Sequence, residues 1–178
     1  MENLQKTELN ISTNIDLVNE ETKINLIKDK LDNLKKKVKK ILFVQPLQIE
    51  EEKIDVKIAL NKRYYMYPPY GIGILNKVFK NNNYDSDILD LNFEIFNFIH
   101  DKKEVSAGDL TKAWKKKLLN VLRNFDPDLV AVSCTFTMNH KNMMDIFQEV
   151  KSFNNKIITV AGGVHVSNAT EIVLKEGK

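Results

Sequence analysis

Four short, mostly apolar runs, separated by helical stretches, constrain the fold of this chain more than any other feature. They occupy residues 41–44, 88–91, 129–132 and 157–161. A strand with apolar residues at successive positions is buried on both faces, as the strands of parallel sheets are. Alternation of such strands with helices therefore predicts a doubly wound α/β domain built on a parallel sheet.

The stretches between these runs carry the apolar spacing of amphipathic helices. Three inner helix faces are predicted: Ile74, Leu75, Val78 and Phe79 in the first helix; Leu110, Trp114, Leu118, Val121 and Leu122 in the second; Met143, Ile146, Phe147 and Val150 in the third. Asparagines 81–83 end the first helix, because asparagine tolerates a left-handed conformation. Ser106 and Asp109 predict a capping box for the second. One or two helical turns are expected in residues 92–103, and a last helix in residues 171–175, capped by residues 168–170.

The first 38 residues differ from the rest of the chain. Residues 1–37 contain no glycine, proline or aromatic residue. From Asp16 onward, apolar spacings of three and four predict an amphipathic helix with a heptad stripe. The stripe consists of Leu17, Ile24, Ile27, Leu31, Leu34 and Val38, and Glu20 interrupts it. We interpret residues 1–38 as a charged, partly helical extension that lies on the domain, is solvated, or forms a homodimeric coiled coil. Residues 39–178 are the domain itself.

The composition excludes several classes of protein. The 178 residues include 27 basic and 24 acidic side chains, with only two arginines, so no nucleic-acid partner is expected. The single cysteine, Cys134, excludes an internal disulfide and any cysteine-clustered zinc or iron–sulfur site in this chain. No apolar run approaches the ~20 residues of a membrane span, and the polar start is no secretory signal. We expect a cytoplasmic protein with no membrane partner.

Residues that follow the predicted strands are the candidates for a ligand site, because doubly wound folds bind ligands beyond the carboxyl ends of their strands. Small and hydroxyl residues follow the third and fourth strands, in residues 133–137 and 162–167. They offer hydrogen bonds without bulk, and Gly162-Gly163 lets a group approach the backbone closely. This set suits a flat ring or a tail along the sheet edge. It does not suit acid–base catalysis, since Asp90 and His165 are the only acid or base candidates there.

Motifs for nucleotide, phosphoryl and redox chemistry are missing. Gly71-Ile72-Gly73 lacks the third glycine of a dinucleotide fingerprint and lies far beyond the first strand. The first strand ends in Gln45, so the carboxylate of a phosphoacceptor is absent. Cys134 has no partner cysteine, which is typical of a small buried apolar residue. His100 and His140 have polar sequence neighbours and no partner spacing, so both are predicted to be solvated.

Four motifs, in this order, resemble the amino-terminal cobalamin-binding domain of cobalamin-dependent radical SAM enzymes. They are a proline after the first strand (Pro46), Pro68-Pro69-Tyr70-Gly71 before the first helix, Asp126-Pro127-Asp128 leading into a strand that ends at Ser133, and Gly162-Gly163-Val164-His165-Val166-Ser167 after the fourth strand. Ser133-Cys134-Thr135 and Gly162-Gly163, with 26 residues between them, also resemble two parts of the general cobalamin-binding signature. The resemblance covers residues 39–178. It implies a Rossmann-like (flavodoxin-like) doubly wound parallel sheet.

The resemblance also implies where cobalamin binds. The nucleotide tail is expected between the ends of strands three and four, with Ser133 and Thr135 hydrogen-bonding to it and Gly162-Gly163 making room. Residues 68–72 would face the corrin. The expected cofactor-binding residues are Pro69, Tyr70, Gly71, Ile72, Ser133, Cys134, Thr135, Thr137, Gly162, Gly163, Val164 and His165. No catalytic residue and no metal ligand is expected in this chain.

Two departures from the family pattern shape the expected chemistry. The D-x-H-x-x-G motif, whose histidine binds cobalt in other cobalamin proteins, does not follow strand one. Hydrogen bonding is therefore favoured over cobalt ligation for His165. The chain also ends before the fifth strand and the C-x-x-x-C-x-x-C motif of the family. The iron–sulfur cluster and S-adenosylmethionine would then belong to a missing barrel domain, the expected partner, and this chain alone would not be catalytic; the parent would be a radical SAM enzyme, with methyl transfer as one option.

Two alternatives stay open at this point. The chain could instead be a non-catalytic interaction module of the same fold, without corrinoid, dimerising through its N-terminal helix. It could also bind a sugar nucleotide or another nucleotide at the Gly162-Gly163 turn, although the sequence shows no phosphate-cradling groups for it. Tyr64, Tyr65, Tyr67 and Tyr70 form an aromatic cluster before the first helix. That cluster either packs a long loop on the domain or forms a lid against the corrin.

Overall fold

The computed structural model describes residues 20–64 and 67–177 and divides the chain into two units between Val38 and Lys39. In the first unit, helix α1 spans Glu20–Lys37. Three apolar residues of its predicted stripe, Ile24, Ile27 and Leu31, are about half exposed. The predicted helix start at Asp16 and the stripe residue Leu17 lie outside the described residues. The assignment of residues 1–38 as an extension stays a prediction.

The second unit alternates strands and helices. Its strands are β1 (Lys40–Gln45), β2 (Asp85–Asp90), β3 (Leu129–Ser133) and β4 (Ile158–Gly162). Its helices are α2 (Val56–Leu60), α3 (Tyr70–Asn81), α4 (Leu91–Lys102), α5 (Ala107–Phe125), α6 (His140–Phe153), α7 (Val164–Asn168) and α8 (Thr170–Glu176). Single turns of 3-10 helix lie at Glu51–Lys53 and Thr137–Asn139. No helix of the described residues is both long and apolar enough to cross a membrane.

The four strands form one parallel sheet in the order β2-β1-β3-β4. This arrangement confirms the predicted Rossmann-like (flavodoxin-like) α/β fold. The chain leaves β1 towards β2 on one side and returns to β3 on the other. The order therefore reverses between β1 and β3, and folds of this type bind ligands beyond the carboxyl ends of the strands at such a reversal.

One face of the sheet carries the main hydrophobic core, under helices α4, α5 and α6. The strand residues on this face are Leu42, Val44, Leu89, Val130 and Val132, and the helix residues that pack on them include Ile95, Ile99, Leu118, Leu122, Met143, Ile146 and Val150. These assignments confirm the predicted inner faces of the second and third helices. The predicted capping box is also confirmed, because Ser106 and Asp109 bond reciprocally at the start of α5.

Helix α3 lies on the opposite face, where the predicted inner residues are largely wrong. Ile74, Leu75 and Val78 are exposed at 66%, 49% and 49%. The helix contacts β1 and β2 through other residues: the ring of Phe79 packs on Phe43, with ring centroids 5.7 Å apart, and the Asn76 carboxamide oxygen accepts a hydrogen bond from the Ser86 hydroxyl (2.7 Å). The apolar spacing of α3 fits two overlapping faces, and the sheet covers only one of them.

Two further boundaries differ from prediction because side chains bond to the backbone locally. β2 ends at Asp90, whose carboxylate accepts a hydrogen bond from the Phe93 amide and caps α4; Leu91 is therefore helical, and α4 runs for 12 residues. The N-cap of the last helix lies within the predicted residues 168–170, but no side chain makes the cap hydrogen bond. Ala169 is the N-cap, without a side-chain hydrogen bond, and the Thr170 hydroxyl donates back to the Val166 carbonyl (2.8 Å).

Candidate functional site

The fold brings the candidate residues after β3 and β4 side by side. Ser133 and Gly162 are partners in the β3–β4 register, as are Ala131 and Val160. Ala131 also pairs with Phe43, whose ring packs on α3, so all of these residues are on the sheet face that carries α3. We call Ala131, Ser133, Val160 and Gly162 the open strip.

The open strip is accessible because α3 covers the β1 and β2 half of its face. Val160 is 43% exposed, whereas Val132 on the other face is 1% exposed. A Cβ built on Gly162 meets nothing within 4 Å. The open strip is therefore an apolar surface with free space above Gly162 and with the Ser133 hydroxyl at its carboxyl end. This combination can receive a flat ring or a chain of atoms.

Gly163 plays a different part from Gly162. Its φ is 105° and its ψ 170°, a conformation that is almost restricted to glycine. A Cβ at this position would lie 2.8 Å from the carbonyl carbon of Cys134 and closer still to its oxygen. The free space predicted at both glycines is therefore present at Gly162. At Gly163 the backbone of Cys134 fills it.

Hydrogen bonds fasten this turn to the end of β3. The Cys134 amide donates to the Gly162 carbonyl (2.7 Å), and the His165 amide donates to the Cys134 carbonyl (3.2 Å). Cys134 itself is fully buried. Of the predicted site residues, Cys134 therefore contributes its backbone, which positions the glycine turn.

Exposed apolar side chains follow the strand ends around the open strip. Tyr70 at the start of α3 is 76% exposed, Phe136 and Met138 after β3 are 55% and 60% exposed, and Val164 after β4 is 61% exposed. We call these four residues the apolar rim. Sequence reasoning missed Phe136 and Met138, although large apolar residues among the hydroxyl residues of a strand-end loop are a signal that could have found them.

Polar groups at the same edge are free to bind a ligand. The hydroxyls of Ser133, Thr135 and Thr137 have no hydrogen-bond partner among the residues that the structure describes. Thr135 and Thr137 are exposed, and Ser133 is half-buried at the end of the open strip. Ile72, another predicted contact, is a buried residue of α3 and is therefore not accessible to a ligand at this edge.

The loop after β1 is tied down by buried side chains from other elements. The Asn92 carboxamide oxygen accepts a hydrogen bond from the Gln48 amide (3.3 Å), and the Asn142 side chain donates to the Leu47 carbonyl (2.9 Å). Glu51 is buried and accepts a hydrogen bond from the indole N–H of Trp114. This loop therefore belongs to the core side of the domain.

The tyrosine cluster divides into two parts. The Tyr64 hydroxyl accepts a hydrogen bond from the Asp55 amide (2.9 Å), and its ring packs on Phe96 with centroids 5.3 Å apart. Tyr64 thus packs the loop on the domain. Tyr67 and Tyr70 are exposed, and Tyr65 lies outside the described residues.

The prediction that His140 is solvated is wrong. His140 Nδ1 lies 2.8 Å from His165 Nε2, and its Nε2 lies 2.8 Å from Glu176 Oε2. His165 is 7% exposed, and its ring is held by His140. Sequence spacing could not reveal this contact, because the partners are 25 and 36 residues away and meet only through the packing of α6, α7 and α8.

Because the Cys134 thiol is buried, the free energy of unfolding is expected to fall at alkaline pH. Desolvation raises its pKa to about 11, from about 9 in an exposed cysteine. A group with a raised folded-state pKa stabilises the fold below its unfolded pKa, and this contribution disappears as pH rises through the folded value. We expect about 3 kcal/mol of unfolding free energy to be lost between about pH 9 and pH 11 through this group. Urea unfolding across that range should show a smaller loss for Cys134→Ala; equal losses in the two proteins would contradict the assignment.

Comparisons with known proteins agree with this geometry. The family model described as "B12 binding domain" matches residues 56–177. The matched segment contains α3, the carboxyl ends of β3 and β4, the open strip and the apolar rim. A comparison with curated proteins finds no match.

Proposed function

This chain belongs to the B12-binding domain family, and on that premise we propose that it holds cobalamin at the carboxyl edge of its sheet, with the nucleotide tail in the open strip. The observation that carries this proposal is the open half-face of the sheet beside α3. There Gly162 leaves free space next to Ser133, and Val160 is 43% exposed. The residues present fit a ligand with a flat apolar base and a large ring system.

Each part of the site has a separate task in this proposal. Ser133 and Thr135 donate hydrogen bonds to the tail, because their hydroxyls have no other partner in the described chain. The apolar rim and Gly71 face the corrin, where exposed Tyr70, Phe136 and Val164 exclude water from it. Thr137 borders the rim, and Pro69 begins the helix that carries Tyr70.

The cobalt is proposed to have no histidine ligand from this chain. The loop after β1 carries no histidine and is fastened by Asn92 and Asn142. His165 Nε2 is already engaged by His140, and the side chain is buried. Bound cobalamin would supply a cobalt that carries a methyl group or exchanges electrons.

We further propose that the domain works within a radical SAM enzyme. The support is the set of motifs given above, from Pro68-Pro69-Tyr70-Gly71 to Gly162-Gly163-Val164-His165. The iron–sulfur cluster and S-adenosylmethionine would be held by a partner barrel. The part of this chain would be to hold and orient the corrinoid.

Titration with hydroxocobalamin, followed by gel filtration, tests the proposed cofactor site. We expect the wild-type chain to retain the chromophore, with the absorption spectrum of cobalamin that lacks a coordinated base. Gly162→Val places a branched side chain in the open strip, so it should weaken binding about ten- to a hundredfold. Absorbance after equilibrium dialysis gives the dissociation constants.

Gly108→Val on α5 is the matched control, because it makes the same change outside the open strip. It should bind hydroxocobalamin like the wild type. Loss of the chromophore from the wild type at high micromolar cofactor would reject the proposal. Equal binding by Gly162→Val and the wild type would keep the cofactor but move its tail elsewhere.

A second candidate function is an interaction module that dimerises through α1. The half-exposed stripe of Ile24, Ile27 and Leu31 favours it, since apolar residues at heptad spacing associate in coiled coils. Sedimentation of the cofactor-free chain, together with the hydroxocobalamin titration, decides between the two. A dimer that retains no chromophore in the titration supports the module, and a monomer that retains it supports the cobalamin domain.

A further inference from the structure

Three side chains form a hydrogen-bonded chain next to the proposed cofactor edge. His165 on α7 contacts His140 on α6 at 2.8 Å, and His140 contacts Glu176 on α8 at 2.8 Å. The two imidazole rings meet edge to face, with centroids 5.0 Å apart. His165 is buried, and the side chain of His140 is 19% exposed. The contacts connect α6 with α7 and α8, which are separated from α6 in the sequence by β4.

His165, at one end of this series of contacts, supports the turn formed by Gly162 and Gly163. His165 follows Gly163 by two residues, and its amide donates to the Cys134 carbonyl (3.2 Å). The turn contains a backbone conformation that glycine adopts readily and other residues rarely do, since φ is 105° at Gly163. Fixing the His165 ring from the side of α6 therefore fixes the backbone that runs from Gly162 past the end of β3.

We propose that His140 and Glu176 are positioning residues, which act through His165 to hold the Gly162-Gly163 turn against β3 and so keep the carboxyl edge shaped for the corrinoid. The corrinoid part of this inference rests on the proposed function. The part about the turn rests on the contacts of His140 alone. Neither residue needs to touch the cofactor.

The contacts of His140 require particular protons on the two imidazole rings. His140 must carry a proton on Nε2 to donate to the Glu176 carboxylate, and the contact between the rings needs one nitrogen without a proton.

Other charged or titratable groups lie on or next to the elements that carry these contacts. On α6, Lys141 and Asp145 pair with each other at 2.8 Å. At the end of β3, the buried Cys134 thiol stays neutral because desolvation raises its pKa to about 11. On α8, Glu171 and Lys175 are exposed, and Glu176 is the carboxylate that contacts His140.

Two substitutions of one residue separate positioning from a general structural role. His140→Asn keeps a polar group near the place of Nδ1, within reach of His165, whereas His140→Gln keeps one near the place of Nε2, within reach of Glu176. We expect His140→Gln to weaken hydroxocobalamin binding about tenfold and to speed hydrogen exchange of the His165 amide. His140→Asn should keep both properties close to wild type.

Glu171→Gln, on the exposed side of α8, is the control. It should bind hydroxocobalamin and protect the His165 amide like the wild type.

Two results would overturn the inference. One is a folded His140→Gln protein with wild-type protection of the His165 amide. The other is a folded His140→Asn protein that loses as much protection of the His165 amide as His140→Gln does. If the wild-type chain retains no hydroxocobalamin, the proposed function fails, and the amide measurements alone decide whether His140 holds the turn.

Discussion

Gly163→Ala should lower the free energy of unfolding by about 3 kcal/mol or more. The new methyl group would lie 2.8 Å from the Cys134 carbonyl carbon, and the backbone conformation of φ 105° would have to be kept or given up. Relief would require the turn to move away from β3. That movement would break the backbone hydrogen bonds from the Cys134 amide to the Gly162 carbonyl and from the His165 amide to the Cys134 carbonyl. Urea unfolding, followed by circular dichroism, measures the loss.

The neighbouring glycine is the control for this prediction. Gly162→Ala adds the same methyl group where nothing lies within 4 Å, so its stability should change by less than about 1 kcal/mol. A Gly163→Ala protein as stable as Gly162→Ala would show that the Cys134 backbone can move aside at no cost. The turn would then not be a fixed part of the site.

Trp114→Phe should destabilise the domain by about 3 kcal/mol. Glu51 is 5% exposed and accepts hydrogen bonds from the Trp114 indole and the Thr111 hydroxyl (3.4 Å). Phenylalanine fills most of the same space but removes the indole donor, which leaves a buried carboxylate poorly satisfied. The cavity beside Glu51 has a volume of about 10 Å³, too small to hydrate it freely.

A double substitution tests the cause of that loss. Glu51→Leu together with Trp114→Phe removes the carboxylate as well as its donor, so it should recover much of the stability that Trp114→Phe loses. Urea unfolding of the two single variants and the double variant completes the cycle. If the double variant is less stable than Trp114→Phe alone, the loss comes from packing of the indole ring and not from the unsatisfied charge.

The sequence was enough to predict the architecture because local signals carry it. Apolar runs marked β1 and β3 to within a residue or two, and Ser106 and Asp109 marked the start of α5. These signals depend on neighbours within a few positions. Helix α3 was predicted less well, because its apolar residues fit two overlapping faces and only the packing on β1 and β2 shows that Phe79 faces the sheet while Ile74 is exposed.

The same reasoning explains what the sequence could not show at the site. Gly162 and Gly163 are indistinguishable as letters, yet one borders open space and the other is pressed against Cys134. His140 looked isolated because its partners, His165 and Glu176, come from elements that meet only in the folded chain. Local sequence rules can place a turn or a strand end, but contacts across helices require the three-dimensional packing.

The strand order predicts which strands of the sheet open locally most often. Within the described sheet, β1 and β3 each have hydrogen-bonded neighbours on both sides, whereas β2 and β4 have one each. Local opening of a protein begins where backbone bonds and buried contacts are fewest. The outer strands β2 and β4 should therefore open first. Two of the four residues of the open strip, Val160 and Gly162, belong to β4. A ligand that contacts both β3 and β4 would hold the outer strand β4 against its neighbour. Ligand binding should therefore slow amide hydrogen exchange in β4 and leave exchange in β1 almost unchanged.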